Sequence, residues 1–143
     1  MRPTTRAFFL TAALLAAIGC GKNPPDVKPA QGVVTLNGQP APNLMLQFSP
    51  ITWPEGTPVL AATAVSDAAG KFVLLAHDGR PGVTAGKHKV TVLDNNLNVE
   101  EENGPNAKKL VNRVPRSYSA TTTTPIEIEI VAGQSEYEVN VKR

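Results

Sequence analysis

The sequence predicts an all-β fold, a single seven-stranded antiparallel β-sandwich, and three observations support it. Proline and glycine are frequent, at 13 and 11 of 143 residues, whereas aromatic residues make up only 5%. Several short segments alternate apolar and polar residues, which is the pattern of half-buried strands. No segment has a convincing helical period. Short strands joined by frequent turns are typical of two packed antiparallel sheets.

Seven segments have strand character. The clearest are the last two, IEIEIV and EYEVNV, in which the three isoleucines, Tyr137, Val139 and Val141 are expected to face inward and four glutamates to face water. Outward charges also protect a sheet from pairing with another copy of itself. In KHKVTVL, His88 is expected to cover a sheet face together with Val90 and Val92. The seven predicted strands are residues 32–38, 44–48, 59–65, 71–76, 87–93, 126–131 and 136–141.

Turn residues separate these strands. Asn37-Gly38 is the strongest short hairpin signal, and residues 39–43 are then expected to form a turn longer than a tight two-residue loop. In SDAAG, Asp67 can cap backbone amides and Gly70 can adopt positive φ. The flanking strands 59–65 and 71–76 are therefore predicted to pair as a hairpin.

The N-terminal segment has the residue order of a bacterial lipoprotein signal peptide. Arg2 and Arg6 precede an uncharged run of 12 residues, Ala7 to Ile18, which is too short for a bilayer-spanning helix of ~20 residues. Gly19 and the chain's only cysteine, Cys20, follow directly. The sequence therefore predicts cleavage before Cys20 and attachment of lipid to its sulfur.

The chain is thus predicted to consist of a signal peptide (1–19), a lipidated cysteine with a proline-rich flexible tether (20–30) and one β-sandwich domain (31–143). At ~3.1 Å per residue, an extended tether would hold the domain ~30 Å from the membrane. Two or more acyl chains give stable anchoring. We expect a cell-envelope protein held by lipid on Cys20, on the outer membrane or on the periplasmic face of the inner membrane.

The charge of the chain argues against nucleic acid as a partner. Two of the 14 basic residues, Arg2 and Arg6, precede Cys20, so the remainder carries twelve basic and twelve acidic side chains. Nucleic-acid binding normally requires a clustered excess of lysine and arginine. Here the basic residues are scattered and balanced by acids.

The order of motifs along the body resembles a known family. GVVTLNGQPAPNLMLQFSP, SDAAGKFVL, GVTAGKHKVTV, VPRSY and TPIEIEIVAGQSEYEVNV follow one another as in planctomycete-type envelope lipoproteins with a carboxypeptidase regulatory-like, transthyretin-like domain. The resemblance covers residues 32–141. It implies a seven-stranded prealbumin-like sandwich that lacks a catalytic apparatus and serves as an accessory, adhesive or carrier module.

No arrangement typical of an enzyme is present in the sequence. His77 and His88 lie 11 residues apart without a metal-binding spacing, and a Gly-x-Ser-x-Gly nucleophile motif is missing. The acidic run Glu100 to Glu102 lacks the alternating ligand spacing of a calcium loop. We therefore expect no catalytic residues, no metal and no cofactor.

Three residues are candidates for binding an envelope protein or glycan. Trp53 lies in a proline-flanked loop and is the strongest of them, while Tyr118 can either bind a ligand or pack its ring on the core with its hydroxyl bonded to backbone. His77 lies in a polar turn. Two alternatives remain: a small-molecule or metal carrier with the polar segment 94–113 as lid, and a purely structural subunit of an envelope assembly.

Overall fold

The described part of the chain is built from short strands. A computed structural model describes residues 24–53, 55–56, 58–98 and 111–143, in which two 3₁₀ turns, Asn95–Asn98 and Arg116–Tyr118, occur without any α-helix. Each of the seven predicted strands overlaps a strand of at least three residues. The strands are β1 (Val27–Lys28), β2 (Gln31–Leu36), β3 (Gln39–Pro40), β4 (Leu44–Pro50), β5 (Ala62–Val65), β6 (Lys71–Val73), β7 (Leu75–Ala76), β8 (Val83–Thr84), β9 (Gly86–Asp94), β10 (Glu127–Ile130) and β11 (Glu136–Val141).

These strands form three sheets. The largest has the order β10-β9-β4-β5-β7, and a small one joins β1 to β8. In the third, β2 pairs with β11 along one edge and with both β3 and β6 along the other. Pairing is antiparallel except between β2 and β11, which run parallel from Gln31 beside Glu136 to Leu36 beside Val141. The wholly antiparallel prediction was therefore wrong at this pair, because residues 131–135 carry the chain from one large sheet to the other.

One hydrophobic core is shared by the two larger sheets. Alternate residues of β4, β5, β6 and β11 are buried, as the period-two pattern predicted, including the tyrosine and valines of β11. The outward glutamates of β10 and β11 are exposed. His88 is fully buried on the same face as Val90 and Val92. The largest fully buried side chains are Phe48, Leu44, Leu46, Leu74, Ile130, His88, Val34, Val83, Val90, Val92, Val139 and Val141.

Two local connections differ from the sequence-based prediction. Asn37 and Gly38, at φ 52° and 81°, form a tight two-residue turn whose second strand is β3, so residues 39–40 are strand rather than open turn. The turn at Asp67 has the predicted caps from Asp67 Oδ1 to the amides of Ala69 and Lys71, each 2.8 Å long. The predicted pairing of residues 59–65 with 71–76 holds only in part: β7 pairs antiparallel with β5, whereas β6 pairs with β2 instead.

The strands run between two ends of the fold, which we call proximal and distal by their position relative to the point where the N-terminal segment joins. At the proximal end, β2 and β11 begin and β4 ends; at the distal end, β4 begins and β9 and β11 end. The N-terminal segment joins at the proximal end, where β1 pairs with β8 and the buried Ala30 accepts a backbone hydrogen bond from Leu74. The folded part therefore includes residues 27–30, which were expected to be tether.

Candidate functional site

A polar network at the distal end holds both ends of the segment 94–113. Asp94 is the last residue of β9, and its side chain is 1% exposed. Arg113 Nε donates to Asp94 Oδ2 at 2.9 Å, and Arg113 Nη2 donates to Oδ1 at 2.6 Å. The Arg113 backbone N–H also donates to Oδ2, at 3.0 Å. This two-pronged arrangement, called the distal clamp below, is the strong form of a carboxylate–arginine pair.

The electrostatics of the distal clamp favour both charged forms. Hydrogen bonding from Arg113 holds the pKa of Asp94 below its ordinary value of 3.8, against a smaller opposing effect of burial. The pKa of Arg113 is raised by the same hydrogen bond. Arg113 Nη2 also donates to the carbonyl oxygen of Pro42 at 3.0 Å, which ties the clamp to the chain just before β4. Asp94 is thus a fully engaged carboxylate and not a free acid or base.

Asparagine side chains extend the network on the β4 side. Asn43 adopts a left-handed conformation at φ 56°, which asparagine tolerates better than most residues. Its side chain donates to the side-chain oxygen of Asn96 and accepts a hydrogen bond from Asn95 Nδ2 at 3.1 Å. The first residues after β9 are therefore fixed against the start of β4.

The C-terminal residues brace the other side of the network. Arg143 donates from its backbone N–H to Asn37 Oδ1 at 2.9 Å and from its side chain to the Asn112 carbonyl at 2.9 Å. Tyr118 is buried, and its hydroxyl accepts a hydrogen bond of 3.1 Å from the backbone of Lys142. The structural role predicted for Tyr118, a ring on the core with its hydroxyl bonded to backbone, matches these contacts.

The distal clamp joins β9 to the chain at Arg113 and does not assemble reactive groups. The distal clamp joins Asp94 to Arg113, while residues 99–110, including Glu100 to Glu102, lie outside the described part of the chain. The predicted lid over residues 94–113 falls largely on that stretch. In the described residues, no three His, Cys, Asp or Glu side chains are placed to hold a metal ion.

The predicted binding residues are not brought together. Trp53 is 49% exposed in the loop after β4, at the proximal end, whereas Tyr118 is buried at the distal end. His77 is exposed in the turn after β7, and its backbone N–H donates to the Ala61 carbonyl. Cys20 lies outside the described residues. Sequence reasoning missed the pairing of Asp94 with Arg113, although opposite charges at the two ends of a polar segment were a signal for it.

A broad depression of about 1420 Å³ is lined by residues of both large sheets. Its lining includes consecutive residues of one strand, such as Phe72 and Val73 or Tyr137 and Glu138. Because consecutive strand residues point to opposite faces, the depression wraps around a sheet edge. It is therefore an open surface and not an enclosed chamber for a small molecule.

Comparison with known proteins gives no relative for this chain. No protein-family model, no curated protein and no solved structure matches it. In the part of the chain that the structure describes, no helix is long and apolar enough to span a bilayer.

Proposed function

We propose that this protein is a lipid-anchored domain of the bacterial cell envelope that binds a protein or glycan partner without catalysing a reaction. The observation that carries the proposal is the residue order before Cys20: two arginines, a 12-residue uncharged run, a glycine and the only cysteine of the chain. This order is typical of export followed by lipidation of the cysteine. Lipid on Cys20 holds the protein on a membrane.

The domain belongs, in this proposal, to the transthyretin-like or carboxypeptidase regulatory-like sandwiches. Support comes from the order of motifs over residues 32–141 and from two larger sheets that share one core. The two-residue strands β1, β3, β7 and β8 are then additions to a framework of seven longer strands. In such a framework, loops at the ends of the sheets are the natural binding elements.

The distal end presents the partner-binding surface. Residues 99–110 are rich in charge, with Glu100 to Glu102 followed by Lys108 and Lys109, and both of their flanks are held by the distal clamp. Fixing the ends of a segment reduces the conformational entropy that it loses on binding. Since the N-terminal segment joins the opposite end, the distal surface points away from the anchored membrane.

The first experiment tests the anchor. The natively expressed protein and Cys20→Ser are compared by intact mass and by membrane fractionation. We expect a mature chain that begins at residue 20 with acyl chains attached, and release of the variant from the membrane. A soluble, unacylated product from the unchanged sequence would contradict the envelope assignment.

The second experiment tests the binding surface. A photo-crosslinking amino acid replaces Val111 at the distal end, or Leu75 as a matched exposed position on the edge strand β7, in the full-length protein in cells. We expect a discrete crosslinked species from position 111 and none from position 75. Equal crosslinking at both positions, or crosslinking from position 75 alone, would count against a distal partner.

A further inference from the structure

The N-terminal segment is tied to the fold at the proximal end by a two-residue strand pair and two further backbone hydrogen bonds. Val27 pairs with Thr84 and Lys28 with Val83. The Ala30 carbonyl accepts a hydrogen bond of 2.9 Å from Leu74, and Gln31 donates to the Ser135 carbonyl at 2.8 Å. The chain that leads back to Cys20 therefore leaves the domain from a defined place.

The distance from that place to Cys20 is short. Six residues, 21–26, separate Cys20 from β1. Even fully extended, the chain from Cys20 to Val27 spans only about 20–25 Å. The ~30 Å spacer expected from residues 21–30 is thus shortened, because residues 27–30 belong to the fold. When Cys20 is held in a bilayer, the proximal end stays within reach of the lipid headgroups.

Exposed apolar side chains gather at this same end. Ile51 and Trp53 follow β4, and Val131 follows β10, whose last residue pairs with Gly86 at the start of β9. Val73 is 57% exposed at the end of β6, directly beside Gln31. Four of the seven large hydrophobic residues exposed in the described part of the chain therefore lie at the end of the fold where the N-terminal segment joins.

The loop that carries Trp53 is held against β9. The Ile51 N–H donates to the Lys87 carbonyl at 2.9 Å, and the Lys87 N–H donates to Thr52 Oγ1 at 3.3 Å. At Gly86, φ is 118°, and an added Cβ would lie 2.6 Å from the Thr52 carbonyl oxygen, so the backbones are in close approach. Trp53 directly follows Thr52, so it extends from a loop that is held in place. Gly86, which Thr52 approaches, lies two residues after the end of β8.

We propose that the proximal end is a membrane-contact surface, with Trp53 and Ile51 in the headgroup region of the bilayer that holds Cys20. This proposal rests on the lipid anchor of the proposed function and adds an orientation to it. Tryptophan favours the membrane–water interface because its ring is apolar and its indole N–H remains able to bond water. Because a short tether joins the domain to the lipid, contact between the proximal end and the bilayer is an intramolecular step. At an effective concentration in the millimolar range, a few weak apolar contacts are enough to keep this end on the bilayer.

The test uses two features of the sequence: Trp53 is the only tryptophan and Cys20 the only cysteine. The chain from Cys20 onward, which contains every core residue from Ala30 to Val141, is coupled through its thiol to a maleimide lipid in phosphatidylcholine vesicles. Tryptophan emission is then recorded with acrylamide in water or with lipid carrying a shallow bromine or nitroxide quencher. We expect a blue shift, and quenching by the labelled lipid at least about twofold stronger than at a distal tryptophan.

The matched control moves the fluorophore to the distal end. Trp53→Phe combined with Val111→Trp keeps one tryptophan and moves it to position 111, where the valine of the unchanged protein is 69% exposed. We expect this variant to keep the emission and acrylamide quenching of the uncoupled protein. Both proteins are checked by circular dichroism and thermal unfolding before coupling.

Three results would overturn the proposal. Equal lipid quenching at positions 53 and 111 would mean that the tethered domain has no preferred orientation, and full acrylamide access to Trp53 on vesicles would mean no contact. Shielding of Trp53 in the uncoupled protein would instead show that a second copy covers this end. Because coupling to maleimide lipid does not depend on cellular lipidation, these failures are distinct from failure of the Cys20→Ser fractionation.

Discussion

Asp94 and Arg113 face each other across the two ends of a twenty-residue segment, with Arg113 Nη2 2.6 Å from Asp94 Oδ1 and Nε 2.9 Å from Oδ2. The carboxylate side chain is almost completely buried, while the arginine side chain is 31% exposed. An ion pair of this kind depends on both partners, because removing one leaves a buried charge without compensation.

Asp94→Asn should lower the free energy of unfolding by about 2–3 kcal/mol, less than the ~3–5 kcal/mol of a fully buried pair because Arg113 is partly in water. Chemical denaturation measures the change. The matched control is Asp78→Asn, which removes the partner of Arg80 from an ion pair on the surface. An effect of Asp94→Asn no larger than that of Asp78→Asn would show that the distal clamp does not stabilise the fold.

The ion pair of Asp94 with Arg113 should also make the free energy of unfolding depend on pH in the acid range. Because the pKa of Asp94 is lowered from 3.8, its ion pair contributes fully above that pH. The contribution is lost as pH falls below 3.8 and the folded carboxylate takes up its proton. Unfolding measured from pH 5 to pH 2 should therefore decline less steeply in Asp94→Asn, and equal slopes would contradict this assignment.

His88 should make the fold sensitive to mild acid. It is 0% exposed, its Nδ1 lies 3.0 Å from the Gly86 carbonyl, and Nε2 has no hydrogen-bond partner in the described residues. Burial lowers the pKa of His88 from 6.5. Below pH 6.5 the unfolded chain takes up a proton that the folded chain excludes, so stability falls by up to about 1.4 kcal/mol per pH unit.

Thermal unfolding at pH 7.5, 6.5 and 5.5 checks this dependence on His88. His88→Leu should flatten the profile, since leucine fills the core without a titrating group. His77→Gln alters the exposed histidine of the turn after β7 and should keep the original profile. A profile equally steep in His88→Leu would assign the sensitivity to other groups.

Gly32→Ala should strongly destabilise the pairing of β2 with β11. A Cβ at position 32 would lie 1.7 Å from the backbone oxygen of Tyr137, so the strands would have to separate. We expect a loss of about 3 kcal/mol or more. Gly38→Ala is the matched variant: space is open there and only its positive φ is unfavourable, which costs about 1 kcal/mol. Equal losses in chemical denaturation would argue against the close strand approach.

Tyr118→Phe should cost about 0.5–1.5 kcal/mol, because it removes only the hydroxyl that accepts from Lys142. Tyr118→Ala should cost about 3–5 kcal/mol through loss of the buried ring. Equilibrium unfolding separates the two variants. If the alanine variant were as stable as the phenylalanine variant, the ring would not belong to the core.

Much of the local structure followed from the sequence. The alternation in IEIEIV and EYEVNV set which side chains are buried, because successive strand residues face opposite sides. Asn37-Gly38 formed a tight turn because both residues tolerate positive φ, and Asp67 capped the amides that follow it.

The choice of strand partners did not follow from the sequence. Residues 71–76 form one predicted strand, and exposed and buried residues alternate along it, yet its first half pairs with β2 and its second half with β5. Alternation specifies the face of the sheet toward which each side chain points. The backbone hydrogen-bonding groups are the same in every strand, so they do not specify which strand pairs with which. The crossing between sheets and the parallel β2–β11 pair are set by how the two layers enclose one core.

The sequence by itself determined the strand segments, the buried faces and the signal-peptide-like order that ends in Cys20. Only the tertiary structure decided that Val27 and Lys28 join the fold, that Asp94 meets Arg113 and that the loop carrying Trp53 is held against β9. The physical reason is the separation of the residues along the chain. Periodicity and turn chemistry act over a few residues, whereas these contacts join residues 19 or more positions apart. They form only when the sheets pack around their shared core.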